Sequence, residues 1–482
     1  MTELLPHRFR ACAAARPDAP ALVDAAGVVT YGALLERVQR AAAALDGRAR
    51  VAILPRGEVD SLAVVLGAMT AGTSILLLDR HLTAGQAERI LRAGAPELVV
   101  ARGRLPVGLA GIDPARVRTP DALLGEAAGA RDGVRARPED ELLGGLTSGT
   151  TGEPKLFVRD HASWATTLDR SDATFDVRAG DRVATSGPLD HGHFFYGALH
   201  ALTRGATVDL RPLPEAFAAD VVTHAYLVPT LAVDLVALLG ERRLARLREI
   251  VSSAAPWPEP ARRALADRAP AGAISHFYGA SELSFVSLSR SSEAPPSSRA
   301  GRPFAGVEVA LRDAEGAPVP DGEQGHIHVR SDMLFSGYLT DDGLTGGPDA
   351  AGWASVGDLG TWRDGWLWLS GRASETIVSG GFNVEPGHVE HALLELPGVA
   401  DAACVGLPDP RWGAVPVAVV VLDGDPAPSR AAVRAHLRDR LPQPSRPRRV
   451  FVADALPRSP RGKIRRADIV AAVVADELAE LP

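Results

Sequence analysis

The sequence predicts an α/β fold in three parts: a large N-terminal domain of layered α/β sheets, a β-rich subdomain, and a small α+β C-terminal domain. Strand-like and helix-like segments alternate up to residue 269, which is typical of layered α/β structure. Turn-rich segments typical of β-hairpins begin near residue 300, and a helix-and-strand pattern resumes after Arg372. We therefore assign residues 1–371 to the N-terminal domain and residues 372–482 to the C-terminal domain.

The N-terminal elements are predicted from the spacing of apolar residues. In residues 30–45, Leu34, Val38 and Ala41 recur at the spacing of one helix face. Alternation of such helices with short apolar strands predicts a largely parallel sheet. The predicted helices are 30–45, 61–72, 230–241 and 258–269, and the predicted strands are 50–55, 97–101, 181–186, 206–210, 223–229 and 249–254.

The remaining elements follow the same reasoning. Glycine, proline and aspartate cluster between apolar runs in residues 313–331 and 361–372, which favours antiparallel hairpins. The C-terminal pattern predicts helices at 386–396 and 429–441 and strands at 401–407 and 414–422.

Composition excludes several classes of protein. A chain of 482 residues is long enough for two or more domains. Its net charge of −7 argues against binding to nucleic acid or to an anionic membrane. Cys12 and Cys404 form no CxxC motif, and no run of about 18 apolar residues occurs. We expect a cytoplasmic protein without a membrane insertion.

The lysines are unusually few. Only two of the 52 lysine and arginine residues are lysines, Lys155 and Lys463. Lysine carries a compact ammonium that fits between several oxygens, whereas the planar guanidinium of arginine does not. Either these two lysines survive by chance, or each has a local function.

Lys155 ends the segment "LTSGTTGEPK" at residues 146–155. Its glycines allow several backbone N–H groups to converge on an anion, and its hydroxyl side chains add donors. The spacing is not that of a Walker P-loop, because Pro154 precedes the lysine. The alternative is a flexible linker, for which a rare lysine is unnecessary.

This segment resembles the phosphate-binding signature of the adenylate-forming superfamily, which includes acyl-CoA synthetases, peptide-synthetase adenylation domains and firefly luciferases. The likeness spans almost the whole chain and is greatest to stand-alone acyl- or aryl-acid CoA ligases. The other matching stretches, in the family's order, are "FYGASELS" (277–284), "SVGDLG" (355–360), "GRASETIVSGGFNVEPGHVE" (371–390) and "LPRSPRGKIRR" (456–466).

The resemblance implies that a carboxylate attacks the α-phosphorus of ATP and releases pyrophosphate. Glu282 would ligate Mg²⁺, which prefers hard oxygen ligands. Asp358 would accept hydrogen bonds from the ribose, with help from Arg372, and Tyr278 would stack near the adenine. Lys463, on a mobile C-terminal domain, would bridge the carboxylate and the α-phosphate. The implied ATP-binding residues are Thr147, Ser148, Gly149, Thr150, Thr151, Gly152, Lys155, Tyr278, Gly279, Ser281, Asp358 and Arg372.

Two positions depart from the family pattern. Ser281 stands where the family has threonine, and Ser374 stands at the interdomain hinge, where the family usually has aspartate or lysine. A small serine can still absorb a backbone rotation. We therefore still expect the C-terminal domain to alternate between two orientations.

The acyl pocket is implied by "PLDHGHFFYG" (188–197), which would supply the catalytic pocket histidine at His191. Gly192 stands where domains for α-amino acids carry aspartate, so we expect an aryl or moderately sized acyl acid instead. Asp190 and His193 are equally compatible with a structural role. The remaining implied pocket residues are Ala254, Phe277, Phe285 and Val286.

The acceptor is less well marked. CoA is favoured by the Trp-Gly pair at Trp412, but Pro444 and Ser445 replace the aromatic and lysine residues common near the CoA nucleotide. An acyl carrier protein, or an oxyanion such as nitrite passed to an amine, remains an alternative. A catalytically silent nucleotide binder is the rival from another class. The implied acceptor residues are Gly380, Gly381, Trp412 and Arg446, with Arg448 and Arg449 as further candidates for binding phosphates.

Overall fold

The computed structural model describes the chain from residue 2 to residue 482 with several gaps. The gaps are residues 81, 83, 104, 106–108, 110–111, 128, 148–154, 255–256, 258, 270–271, 294–298, 373–374, 380–381, 410–411, 424–426, 439, 442 and 460–461. Ser374, Gly380, Gly381 and the middle of the predicted phosphate loop therefore lie outside the described residues.

The first part of the chain packs two helices closely on a parallel sheet. Thr30 caps the first of these helices by accepting a hydrogen bond from the Ala33 backbone N–H at 3.3 Å. A side chain at Gly67 on the second helix would overlap Ala41 on the first, so glycine permits the close approach. The elements are α1 (Leu5–Ala15), β1 (Pro20–Asp24), β2 (Gly27–Thr30), α2 (Tyr31–Ala44), β3 (Arg50–Leu54), α3 (Val59–Ala71), β4 (Ser74–Leu77), α4 (Ala84–Gly94), β5 (Leu98–Ala101), β6 (Val117–Arg118), α5 (Pro120–Glu126), β7 (Glu141–Thr147) and β8 (Lys155–Asp160).

The middle of the chain begins with alternating strands and helices and ends in hairpins. The elements are α6 (His161–Thr174), β9 (Arg182–Ala184), α7 (Gly192–Thr203), β10 (Thr207–Asp209), α8 (Leu213–Ala216), β11 (His224–Leu227), α9 (Pro229–Leu239), β12 (Glu249–Ser252), α10 (Glu259–Arg268), β13 (Ala273–Ala280), β14 (Ser284–Arg290), β15 (Arg299–Pro303), β16 (Glu308–Arg312), β17 (Gln324–Arg330), β18 (Gly337–Thr340), β19 (Gly343–Thr345), β20 (Trp353–Ala354), β21 (Asp358–Arg363) and β22 (Trp366–Arg372).

The C-terminal part has its own sheet and its own core. Helix α11 packs on strand β25, and Arg466 joins α13 to α11 through an ion pair with Glu390. The elements are β23 (Ile377–Ser379), β24 (Phe382–Val384), α11 (Pro386–Leu394), β25 (Val399–Asp409), β26 (Gly413–Leu422), α12 (Arg430–Arg438), β27 (Arg449–Val452), α13 (Arg466–Val474) and β28 (Ala479–Glu480).

The sheets bring distant motifs to common edges. In the largest sheet, β1, β10, β9, β11, β12 and β13 are parallel neighbours in that order, and β14 then pairs antiparallel with β13. The sheet continues through β15, β22, β21, β17 and β16, which form the β-rich part. A second sheet runs β19, β18, β8, β7, β4, β3, β5 and β6, so β18 lies beside the strand that begins at Lys155.

The predicted fold class is confirmed: layered α/β sheets, a β-rich part and a small C-terminal α+β part. The boundary at residue 372 stays a prediction. In the described part of the chain, no helix combines the length and the apolar character needed to cross a membrane.

Candidate functional site

The carboxyl ends of the parallel strands β9, β11, β12 and β13 meet at one edge of the largest sheet. Open α/β sheets bind ligands outside this edge. Ala254, just after β12, has φ +81°, a left-handed conformation that costs a non-glycine residue free energy. This edge is the first candidate for a binding site.

Glu282 lies on the tight turn between β13 and β14. A side chain at Gly279 would overlap the carbonyl oxygen of Ser284, and Ser284 itself has φ +60°. The Phe335 N–H donates to the Glu282 carbonyl at 2.9 Å. The Tyr338 hydroxyl donates to Glu282 Oε1 at 3.1 Å, and the glutamate is only 6% exposed. The turn and Tyr338 together fix the direction of this carboxylate.

Glu282 shares a cavity with the two described ends of the predicted phosphate loop. The cavity has a volume of about 700 Å³. The Lys155 ammonium lies 4.9 Å from the centre of the Tyr338 ring, at a distance typical of a cation–π contact. Tyr338 thus contacts both the carboxylate and the ammonium. Residues lining the cavity include Thr147, Lys155, Glu282, Tyr338, Ser355 and Gly357.

The donor set suits a magnesium ion that is shared with phosphates. In the described residues, no group of three or more histidine, cysteine, aspartate or glutamate side chains could hold a metal ion. A single buried carboxylate beside a lysine fits Mg²⁺ only if phosphate and water oxygens complete its shell, which is how Mg²⁺ is usually bound. Glu282 is the carboxylate of this cavity that would hold such an ion.

Asp358 begins β21 and is 8% exposed. The Tyr278 hydroxyl donates to Asp358 Oδ2 at 2.6 Å, which joins two predicted ATP-binding residues that are far apart in the sequence. Arg372 lies directly opposite Asp358 in the β21–β22 register. The structure thus joins Tyr278 to Asp358 by a hydrogen bond and places the Arg372 backbone opposite Asp358.

Lys463 lies in a tight loop that contacts the N-terminal part. The Ser459 N–H donates to the Lys463 carbonyl at 2.7 Å, and Gly462 has φ +78°. A Cβ at Gly462 would lie 3.5 Å from Thr230 Cγ2, at the start of α9. Helix α9 directly follows β11, so the Lys463 loop lies at the same edge of the largest sheet as Ala254 and Glu282.

The predicted acyl-pocket residues differ in their burial and in their contacts. His191 caps α7 by accepting the His193 N–H at 3.2 Å, and a Cβ at Gly192 would meet no atom within 4 Å. Phe277 is half-buried, and its ring centre is 4.3 Å from that of Phe285. Val286 has no exposed surface and belongs to the core.

Asp190 and His193 each contact a neighbouring polar residue. Asp190 accepts hydrogen bonds from Arg80 Nε at 2.7 Å and from the Arg80 backbone N–H at 3.1 Å, so it has a structural partner. His193 contacts Ser253, whose Oγ is 3.1 Å from His193 Nδ1. Ser253 immediately precedes Ala254, which places His193 at the candidate edge.

Two of the predicted acceptor arginines make different contacts. The Arg446 guanidinium donates to the carbonyl groups of Leu441 at 2.8 Å and Arg438 at 3.0 Å, so it closes the end of α12. Arg448, instead, lies 4.9 Å above the Trp412 ring. The sequence motif indicates Arg446, Arg448 and Arg449 as a group. It does not show that the Arg446 guanidinium is bound by backbone carbonyl groups.

Tyr338 is the clearest residue that sequence reasoning missed, because it lies in no recognised motif. The only hint in the sequence is that tyrosine is rare, since the chain has five tyrosines. Its position on β18, opposite Phe157 on β8, brings it beside Lys155. That pairing is visible only in the folded chain.

Comparison with known proteins shows the family of the chain. The profile of the AMP-binding enzyme family matches residues 9–339, and that of its C-terminal domain matches residues 388–463. The chain is 34% identical to an uncharacterized acyl-CoA ligase, YhfT, of Bacillus subtilis, with 87% of each chain covered. It is 31% identical to a sulfoacetate–CoA ligase of Cupriavidus necator, covering 95% of this chain and 96% of the relative.

A solved structure extends the likeness to the whole fold. The ATP-bound RpMatB-BxBclM chimera B3 superposes with a TM-score of 0.85 at 25% identity, covering 99% of this chain and 100% of the other. The chain therefore belongs to the AMP-binding enzyme family, within the adenylate-forming superfamily, and is a ligase of the acyl-CoA synthetase type.

Proposed function

We propose that this protein is an ATP-dependent acid–thiol ligase that forms an acyl adenylate and then transfers the acyl group to CoA. The observation that carries the proposal is that Thr147, Lys155 and Glu282 line one cavity of about 700 Å³. A cation, a hydroxyl donor and a buried carboxylate on three different elements are what a magnesium-bound triphosphate requires.

In the first step, a carboxylate oxygen of the acid attacks the α-phosphorus of ATP. The bond from the α-phosphorus to the bridging oxygen breaks, and pyrophosphate leaves. Lys155 binds the phosphates, and Glu282 would hold Mg²⁺, which supplies positive charge to the phosphate oxygens. Asp358 accepts hydrogen bonds from the ribose, and the Tyr278 hydroxyl holds that carboxylate in place.

Lys463 stabilises the approach of the two anions in this step. Its loop contacts Thr230 at the carboxyl edge of the parallel strands, which supports a position between the acid and the α-phosphate. A compact ammonium can contact oxygens of both reactants without bidentate geometry. In the second step the thiol sulfur attacks the acyl carbonyl carbon and AMP leaves, which requires the Lys463 loop to withdraw.

CoA is the acceptor that the C-terminal residues favour. Arg448 lies over the Trp412 ring, and this pair offers one charged group and one aromatic face to a nucleotide phosphate and base. Arg446 is a weaker candidate, because its guanidinium is engaged by two backbone carbonyl groups.

The experiment is an acid screen followed by identification of the acylated product. Pyrophosphate release is measured with ATP, Mg²⁺ and a panel of carboxylic acids, and mass spectrometry then examines incubations with CoA, a carrier protein or an amine. We expect acyl-CoA. ATP binding without turnover of any acid would instead identify a silent nucleotide binder, and acylation of the carrier or the amine alone would replace CoA as acceptor.

A further inference from the structure

One wall of the predicted acyl pocket ends in a buried polar pair. His193 is 7% exposed, and its Nδ1 lies 3.1 Å from Ser253 Oγ. Its Nε2 makes no hydrogen bond of good geometry to the protein. The backbone carbonyl groups of Val251 and Leu227 also act on this ring, but neither meets Nε2 with good hydrogen-bond geometry, so a ligand atom that does is favoured.

The space behind this pair is filled by aromatic rings. The His193 ring centre lies 5.7 Å from that of Phe277 and 5.4 Å from that of Tyr226. Behind Phe277, Phe285 stacks on Phe304 with ring centres 4.8 Å apart. We take these packed rings as the floor of the predicted acyl pocket.

Two glycines allow aromatic rings to pack closely at this wall. A Cβ at Gly197 would lie 2.5 Å from the Tyr226 ring, and one at Gly187 would overlap the Phe194 ring. At both positions an aromatic ring occupies the space of the missing side chain. A long alkyl chain therefore has no path through this wall without displacing buried rings, which is costly in a close-packed interior.

Apart from His191, the histidines near this wall supply no positive charge. Burial lowers the pKa of His193 to about 3, helped by the neighbouring His191 and opposed by the carbonyl groups of Val251 and Leu227. Burial alone lowers the pKa of His276 to about 4. Both rings are therefore neutral at pH 7.

The charges of Asp190 and Arg80 are paired with each other. Asp190 binds Arg80 through Nε at 2.7 Å and Nη2 at 3.2 Å, so the two charges cancel. A second carboxylate or a sulfonate on the acid would be buried at this wall without a counter-charge, which is strongly unfavourable.

We infer that the pocket takes compact, uncharged acyl groups, of one ring or a short branched chain, whose far end offers a hydrogen-bonding atom to His193 and Ser253. This rests on the acid-activating function proposed above. The inferred substrate class differs from the dianionic acid for which the sulfoacetate–CoA ligase relative is named.

The first experiment compares kcat/KM for pyrophosphate release across three groups of acids. The compact group contains benzoate, its hydroxylated derivatives and isobutyrate; the others contain sulfoacetate and malonate, and octanoate and palmitate. We expect the best compact acid to exceed the dianionic and long acids by at least about 100-fold. A dianionic or long acid that equals or exceeds every compact acid overturns the inference.

The second experiment uses variants of the wall. Ser253→Ala is expected to reduce the kcat/KM preference for a hydroxylated benzoate over benzoate by about tenfold, because the variant loses the hydroxyl that meets the far end of the acid. Phe277→Ala is expected to raise the octanoate-to-benzoate ratio of kcat/KM by about tenfold. Unchanged ratios in both folded variants, checked by thermal unfolding, would refute the assigned wall.

Binding separates this inference from the proposed function. Non-reactive acyl-sulfamoyl adenosines carrying 4-hydroxybenzoyl, malonyl or octanoyl groups are titrated by calorimetry. If no acid is turned over, the ligase function fails, but the order of affinities still tests the pocket. Tightest binding of the 4-hydroxybenzoyl compound supports the inference, and tightest binding of either other compound overturns it.

Discussion

At the scale of single residues, Lys463 allows a substitution that keeps the charge and changes its shape. We expect Lys463→Arg to reduce adenylate formation severely, because a planar guanidinium does not fit among oxygens of different groups. Thioester formation from a pre-made adenylate should persist, because that step does not use this loop. Pyrophosphate release and adenylate consumption measure the two steps separately.

The matched control is Arg465→Lys, two residues further along. Arg465 pairs with Asp468 at 3.0 Å, and its side chain is more than half exposed. Adenylation should be unchanged in this variant. Full first-step activity in Lys463→Arg would refute the role given to the lysine.

Two tyrosine hydroxyls hold two different carboxylates and provide a paired test. Tyr278→Phe removes the donor to Asp358, so we expect a higher KM for ATP, by about tenfold for a lost charged hydrogen bond. Tyr338→Phe removes the donor to Glu282, so we expect a higher Mg²⁺ requirement instead. Steady-state kinetics at varied ATP and Mg²⁺ distinguish the two, and identical effects of both variants would contradict the assignment.

At the scale of elements, the turn between β13 and β14 depends on the absence of a side chain at Gly279. We expect Gly279→Ala to displace Glu282, because its Cβ would overlap the Ser284 carbonyl oxygen. Both thermal stability and Mg²⁺-dependent activity should fall. Gly125→Ala on helix α5 is the control: its Cβ would meet nothing within 4 Å, and alanine favours a helix by about 1 kcal/mol. Equal stability of the two variants would argue against strain at the turn.

At the scale of the whole molecule, the contact between Gly462 and Thr230 offers a way to fix the C-terminal domain. A disulfide in Thr230→Cys/Gly462→Cys would hold the Lys463 loop at the sheet edge. We expect the oxidised protein to release pyrophosphate but to form no acyl-CoA, and reduction to restore the second step. Each single variant serves as control. Acyl-CoA formation by the fully oxidised protein would show that the domain need not move.

The buried histidines predict a dependence of global stability on pH. Burial lowers the pKa of His161 and His276 to about 4, whereas an unfolded histidine titrates near its ordinary value of 6.5. As pH falls from 6.5 towards 4, the unfolded chain takes up protons that the folded chain does not. The free energy of unfolding should therefore fall, by about 1.4 kcal/mol per pH unit for each such histidine.

His161→Leu tests this effect, because neither ring nitrogen of His161 makes a hydrogen bond to the protein. Denaturant unfolding between pH 5 and 6 should show a slope smaller by about 1.4 kcal/mol per pH unit. An unchanged slope would mean that His161 is protonated in the folded state.

The sequence predicts the elements whose apolar residues follow a clear period. Helix α2 and strand β3 agree with their predicted ranges within a residue or so at each end. Helix α7 is not predicted, because almost all of its residues are buried, and a helix buried on every side has no polar face to set a period. The strand predicted at 181–186 is shorter in the structure, at Arg182–Ala184, because the chain leaves the sheet towards His191.

The candidate site is predictable where motifs carry it. Thr147, Lys155 and Glu282 meet in one cavity, and Tyr278 meets Asp358. Contacts set by strand pairing are not readable from one sequence. Tyr338 reaches Glu282 and Lys155 only because β18 pairs with β8.

The positions of the two lysines make limited proteolysis a specific probe of the candidate site. Both side chains are exposed, and a lysine-specific endoprotease can cut only after Lys155 and after Lys463. Every cleavage event therefore reports on the phosphate loop or on the loop of the C-terminal domain. Limited digestion, with or without nucleotide, would follow the two halves of the site as three fragments on a gel.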